Sequence, residues 1–111
     1  MSVTTKIYKG ILMVKISGDF DMHIADQFRD KIDHCLMQSE VKDIIIDMED
    51  VFFIDSSGIG VLIGRYKKVM HLGGKIIISG MQDPVRKILS LSGVLKIIES
   101  CQDENEALAC F

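Results

Sequence analysis

Tryptophan is absent from this chain of 111 residues, proline occurs once, at Pro84, and aromatic side chains make up only 6% of it. A core with so few rings has to be built from Ile, Val, Leu and Met, which suits a sheet covered by helices. The single proline and a hydrophobic share of 48% exclude a disordered tail. No basic block exceeds two residues, and 13 Lys and Arg against 16 Asp and Glu leave a net charge of −3. The clustered cations that a nucleic-acid backbone demands are therefore missing, and no nucleic-acid partner is expected. No stretch approaches the roughly 18 apolar residues of a membrane span, and Met1 to Lys9 lacks an apolar signal segment. A cytoplasmic location with no membrane partner follows by elimination. Cys35, Cys101 and Cys110 are odd in number and form no C-x-x-C pair. They read as small core hydrophobes in a reducing compartment.

Enzyme signatures are also lacking. No glycine stands two residues before Ser56 or Ser57, so there is no nucleophile elbow. His23, His34 and His71 are scattered over helix starts and exposed faces, which leaves a serine nucleophile without a base. Gly58, Gly60 and Gly64 miss the last spacing of the dinucleotide fingerprint, and no G-K-[ST] follows any glycine loop. No Cys or His spacing matches a metal set; His34 and Cys35, the nearest pair, would point to different sides of a helix. The residues thus indicate no enzyme, no resident cofactor and no metal.

What is present is a regular alternation of strand and helix within one domain, residues 1–111. Thr4 to Tyr8 and Ile11 to Ser17 flank Lys9-Gly10 and read as a hairpin, its second arm covered on both faces. Asp21 is a credible cap for a helix from Met22 to about Met37, with Ile24, Phe28, Ile32 and Leu36 on one stripe. Val41 to Met48, holding Ile44-Ile45-Ile46, predicts a central parallel strand. A second helix is expected from Ser57 to about His71 with Ile59, Leu62, Ile63, Tyr66 and Met70 inward, and the i,i+4 pair Gly60 and Gly64 suggests a close neighbouring backbone or a partner. Lys75 to Ser79 reads as a strand and Asp83 or Pro84 to Leu91 as a helix. Val94 to Ile98 then reads as a short edge strand, and Asp103 to Cys110 as a last helix. The order ββαβαβαβα implies an α/β fold with a mixed, largely parallel sheet and right-handed crossovers.

The chain is organised around Val51 to Gly64, V-F-F-I-D-S-S-G-I-G-V-L-I-G. An apolar run that looks buried breaks at Asp55-Ser56-Ser57-Gly58 and resumes at helical spacing. Ser and Asp cap helices by accepting hydrogen bonds from first-turn amides, and the same amides favour an anion. Spacing alone does not say which of Ser56 and Ser57 serves as the cap. A serine pair at a helix start is ordinarily one cap and one solvated hydroxyl. Two features argue for more: the position just past a strand, where open α/β sheets bind ligands, and Ile59, expected to project beside the serines as an apolar handle. A phosphate here would add about −1.5 to −2 charges. The helix N-terminus would tolerate it, while Asp19, Asp21 and Asp55 nearby would help an acidic or apolar partner surface to reject it.

F-F-I-D-S-S-G-I-G-V-L-I-G-R-Y-K, with G-D-F-D-M-H-I-A at Gly18 to Ala25, D-I-I-I-D-M-E-D-V at Asp43 to Val51, L-G-G-K at Leu72 to Lys75 and L-S-G-V-L-K-I-I at Leu91 to Ile98, resembles the STAS-domain anti-sigma factor antagonists, and among them the sporulation branch of spore-forming bacteria. The resemblance spans essentially the whole chain. It implies the STAS fold, a five-stranded sheet with helices packed mainly on one face. It also implies a partner-switching cycle. The unphosphorylated antagonist binds an anti-sigma factor that is a serine kinase of GHKL type and releases the sigma factor; that kinase, which carries the ATP or ADP, phosphorylates the antagonist and lets go; a PP2C-type phosphatase reverses the step. The family's phosphorylated serine falls on Ser56. Partner contact is implied for Asp21, Met22 and His23 and for Asp55, Ser57, Gly58 and Ile59, and the free form is implied to be a monomer. Rival readings are an antagonist of a general stress-response circuit and a ligand-sensing STAS module that binds a nucleotide or lipid.

Overall fold

The computed structural model describes residues 2–38 and 41–111. β1 (Ser2–Tyr8) and β2 (Ile11–Ser17) pair antiparallel, with Tyr8 opposite Ile11. The turn between them places Lys9 at φ 51° and Gly10 at φ 80°. Two successive positive φ values match the right-handed twist of the flanking strands, which is why a glycine-containing two-residue loop closes this hairpin. The chain continues through α1 (Met22–Gln38), β3 (Asp43–Asp50), α2 (Ser56–His71), β4 (Ile76–Ser79) and α3 (Asp83–Leu91). A 3-10 turn (Val94–Lys96), β5 (Glu99–Cys101) and α4 (Glu104–Leu108) complete it. The sheet runs β1-β2-β3-β4-β5, with every pair after the hairpin parallel. The expected order and sheet are both present.

Side-chain alternation in the strands sorts the core into two layers. Leu12, Val14, Ile16, Ile44, Ile46, Ile76 and Ile78 face α1, α2 and α3, where Ile24, Phe28, Ile32, Leu62, Val69, Val85 and Leu89 meet them. Ile11, Met13, Ile45 and Ile77 face the other way, onto Ala107 of α4 and Cys101. Ile44, Ile45 and Ile46 are all fully buried, so the central strand is covered on both sides and each isoleucine contributes about 1.5–3 kcal/mol on leaving water. Three helices on one face and one five-residue helix on the other give the asymmetry that the sequence implied.

Three expectations fail locally. Val94 to Ile98 is a helical turn, and the edge strand is Glu99–Cys101 instead. The Ile98 amide donates to the Val94 carbonyl at 2.8 Å, which turns both side chains into the core and leaves Ile97 outside; tertiary burial overrides the β propensity of the run. In α2 the inward stripe is Gly58, Leu62, Arg65 and Val69, while Met70 is half exposed. Arg65 reaches Asp33 of α1, Nε to Oδ1 at 3.1 Å, and Lys68 Nζ holds the other carboxylate oxygen at 3.0 Å. Burial lowers the Arg65 pKa, with the nearby Asp33 charge opposing that shift. Finally, a Cβ built at Gly60 or Gly64 would meet nothing within 4 Å, so the close backbone expected along that line is not supplied by the described residues.

Candidate functional site

The loops that open α1 and α2 are zipped together at one end of the sheet. Gly18 donates its amide to the Asp50 carbonyl at 3.1 Å, Phe20 to the Phe53 carbonyl at 2.9 Å, and Asp55 to the Phe20 carbonyl at 3.3 Å. A parallel bridge joins Phe20 to Ile54. Both side chains are buried, and the Phe20 ring meets Phe28 edge-on at 5.3 Å. The anchor draws the two helix N-termini side by side.

Each terminus is closed by an aspartate. Asp21 Oδ1 accepts from the Ile24 amide at 3.2 Å at the start of α1. Asp55 Oδ1 accepts from Ser57 at 2.9 Å and from Gly58 at 3.2 Å at the start of α2. Asp55 is therefore the cap, and neither serine is. Consequently α2 begins at Ser56, one residue earlier than expected, with Ser56 exposed and Ser57 half-buried. The cap occupies two first-turn amides with a carboxylate, the arrangement that complements the helix dipole, and leaves the Ser56 hydroxyl outside the capping network.

Gly58 fixes how α2 approaches α1. A Cβ there would lie 2.8 Å from the Phe20 carbonyl oxygen and 2.8 Å from Ile54 Cγ1, inside any tolerable contact. Gly58 is buried, so its service to the site is close packing beneath the surface. Ile59 is half-buried against the core rather than thrust outward beside the serines. Met22 and His23 stand exposed on the first turn of α1, His23 Nε2 within 3.2 Å of Gln27 Nε2.

Three large apolar side chains stand exposed on the loops and first turn that adjoin the serine, and two of them, Phe52 and Phe53, belong to the run expected to be buried. Phe52 is 63% exposed, Phe53 48% and Met22 66%, whereas Val51 and Ile54 are buried. The Val51 amide closes a turn onto the Met48 carbonyl at 3.0 Å, so the segment leaves the sheet before Phe52. The i,i+3 spacing of Val51 and Ile54 was the available signal: a strand alternating in and out would not bury both. Acidic groups gather at the neighbouring edge. Lys15 lies 3.3 Å from Asp50, and its pKa is raised first by that hydrogen bond and charge, with Asp47 and Glu49 adding to it.

An α/β module with an exposed serine at a capped helix N-terminus and exposed apolar side chains on the adjoining loops presents a surface suited to docking another protein. The STAS domain model matches residues 2–107, and the chain belongs to the STAS family. It is 32% identical over 108 residues to the anti-sigma F factor antagonist of Paenibacillus polymyxa, covering 97% of this chain and 92% of that one. The solved structure of the anti-sigma factor antagonist SpoIIAA in its unphosphorylated form superposes with a TM-score of 0.86 at 27% identity, covering 98% of this chain and 95% of that chain. The phosphorylated form of SpoIIAA from Bacillus superposes at 0.77 with 26% identity, covering 98% of each chain. Among the described residues no helix is long and apolar enough to cross a membrane.

Proposed function

We propose that this chain is an anti-sigma factor antagonist that does no chemistry of its own and is switched off by phosphorylation of Ser56. The observation that carries the reading is the cap. Because Asp55 closes α2, Ser56 is free of structural duty, exposed, and flanked by Met22, Phe52 and Phe53 as an apolar docking rim. The partner is an anti-sigma factor with a GHKL-type serine kinase site, which brings the ATP. In the transfer the Ser56 oxygen bonds to the γ-phosphorus as the bond to ADP breaks, and the hydroxyl proton leaves to a base on the kinase. Catalysis there is positioning and charge stabilisation supplied by the partner. A PP2C-type phosphatase restores the hydroxyl, the whole cycle is cytoplasmic, and the free antagonist is a monomer.

The switch follows from charge. Unmodified, the surface docks through its apolar rim, with Asp21, His23, Asp55 and Ser57 at the edges and Gly58 and Ile59 supporting from beneath. A phosphate adds about −1.5 to −2 charges beside Asp55. The α2 N-terminus accommodates that charge, whereas a partner surface fitted to the neutral hydroxyl meets an unmatched anion, at a cost of several kcal/mol. Mixed with the cognate kinase and ATP, the wild-type chain should gain one phosphate by intact-mass spectrometry and Ser56→Ala none. Modification that survives Ser56→Ala and is blocked by Ser57→Ala would move the switch to the neighbouring residue and overturn the assignment.

A further inference from the structure

Cys101 and Cys110, nine residues apart with no motif between them, are brought together at the far edge of the sheet. Their sulfurs lie 3.9 Å apart. Glu99 stands two residues before Cys101 on β5, hence on the same face of the strand. Cys110 sits in the turn that follows α4 and also directs its Sγ to the Glu106 carbonyl at 3.5 Å. The Glu99 carboxylate and the two sulfurs all fall within 4.8 Å of one another. The α4 helix that delivers Cys110 is itself fixed, with Asp103 capping it through the Glu106 amide at 2.8 Å and Ala107 fully buried against the sheet.

We propose that Glu99, Cys101 and Cys110 form a binding site for a thiophilic divalent cation of the zinc class, which clips α4 onto the edge strand β5. Two thiolates and a carboxylate are a borderline-soft donor set suited to zinc, with the fourth position left to water or an outside donor. Tetrahedral zinc with bonds of about 2.3 Å to sulfur sets the sulfurs roughly 3.8 Å apart, close to the 3.9 Å found between these two free thiols. On binding, each thiol gives its proton to solvent, the carboxylate binds as it is, and no electron moves.

The surrounding charges set the balance. Glu106 and Glu99 add negative charge around Cys101. Lys75 opposes a cation: its Nζ lies 3.9 Å from Glu99 Oε1, donates to the Cys110 carbonyl at 3.2 Å, and sits 5.7 Å over the Phe111 ring. Sequence reading expects no metal because eight intervening residues match no ligand spacing; the site exists only once β5 and α4 fold back on each other.

The test is a cobalt(II) titration of the reduced, full-length chain, followed by displacement with zinc(II). One equivalent should bind, with a sulfur-to-cobalt charge-transfer band and release of two protons. Cys110→Ser, at a half-buried position, and Cys101→Ser should each abolish the band. Glu99→Gln should weaken binding about tenfold or more, Lys75→Gln should tighten it, and Cys35→Ser should change nothing. The proposal is overturned if the folded wild type gives no charge-transfer band at one equivalent, or if the band persists in Cys110→Ser. It is equally overturned if oxidation joins the two sulfurs while the reduced chain takes up no metal.

Discussion

Gly58 rests against Phe20 so closely that the Cβ it lacks would stand 2.8 Å from the Phe20 carbonyl oxygen. That contact presses α2 onto the loop that opens α1. Gly58→Ala should therefore destabilise the fold by about 1–2 kcal/mol: overpacking against backbone costs about 1–3, of which better helix propensity returns up to about 1. Gly60→Ala, two residues along the same helix with nothing within 4 Å of its Cβ, should stabilise by about 0.5–1 kcal/mol. Urea unfolding of both variants reads the signs directly. Equal signs would show that the close approach to Phe20 is not what Gly58 provides.

Asp55 caps α2, and in the proposed switch its carboxylate adds to the charge beside a phosphorylated Ser56. As the cap of α2 it accepts from Ser57 and Gly58, and Asp55→Ala should cost about 1 kcal/mol in chemical denaturation. Asp55→Asn keeps the accepting oxygen and should be within a few tenths of a kcal/mol of wild type, since asparagine caps as well as aspartate. It removes the carboxylate beside Ser56, so the phosphorylated Asp55→Asn chain should bind the kinase partner more tightly than phosphorylated wild type. Unchanged affinity in a calorimetric titration would assign rejection to the phosphate alone.

Ser56→Asp should weaken partner binding about tenfold or more, since an unmatched like charge at a docking surface costs several kcal/mol. Surface plasmon resonance against the immobilised anti-sigma factor measures it. Affinity equal to wild type would remove the electrostatic basis of the switch.

These variants rest on features of unequal legibility. The hairpin was readable because Lys9-Gly10 supplies the two positive φ values its turn needs. The α1 stripe was readable because Ile24, Phe28 and Ile32 recur every four residues and are indeed buried. Asp21 was readable as the cap of α1, but at α2 the reading weighed only Ser56 and Ser57 and missed Asp55, because the choice depends on backbone angles that three good capping residues in a row leave open. Phe52 and Phe53 were misread because hydrophobicity alone does not report that the chain has left the sheet at Val51. Val94 to Ile98 failed for the opposite reason, a β-prone run recruited into a helical turn by the core. The Cys101–Cys110 approach left no trace in the sequence, because it depends on the return of α4 across the edge strand.

Arg65 and Asp33 join α2 to α1 across a nearly closed interface, with the Arg65 side chain 8% exposed and Asp33 23%. Arg65 Nε lies 3.1 Å from Asp33 Oδ1 without aligning a hydrogen bond to it, and Lys68 shares the carboxylate. Removing one partner leaves a desolvated guanidinium, so Asp33→Ala should destabilise by about 2 kcal/mol in thermal or urea unfolding. The double variant Asp33→Leu with Arg65→Met should recover most of that loss, because apolar replacements of a buried pair are commonly neutral or stabilising. A double variant no more stable than the single one would show that the pair contributes more than mutual neutralisation.

Cys101 gives the reduced, metal-free chain a limb of alkaline sensitivity. Burial pushes its thiol from 9.0 up to about 11, and the Cys110 thiol, then Glu106 and Glu99, act in the same direction. In the unfolded chain the thiol loses its proton first, near its ordinary value, so between about pH 9 and 11 the unfolded state binds fewer protons than the folded one. Stability must then fall as pH rises through that window, and the contribution of this group is flat below it. All other ionisable groups are common to the two chains, so the informative quantity is the difference between wild type and Cys101→Ala in urea unfolding from pH 7 to 11. The wild type should lose stability faster than the variant above pH 9 and run parallel to it below. Parallel curves across the whole range would show that the Cys101 thiol is not held protonated by its burial beneath α4.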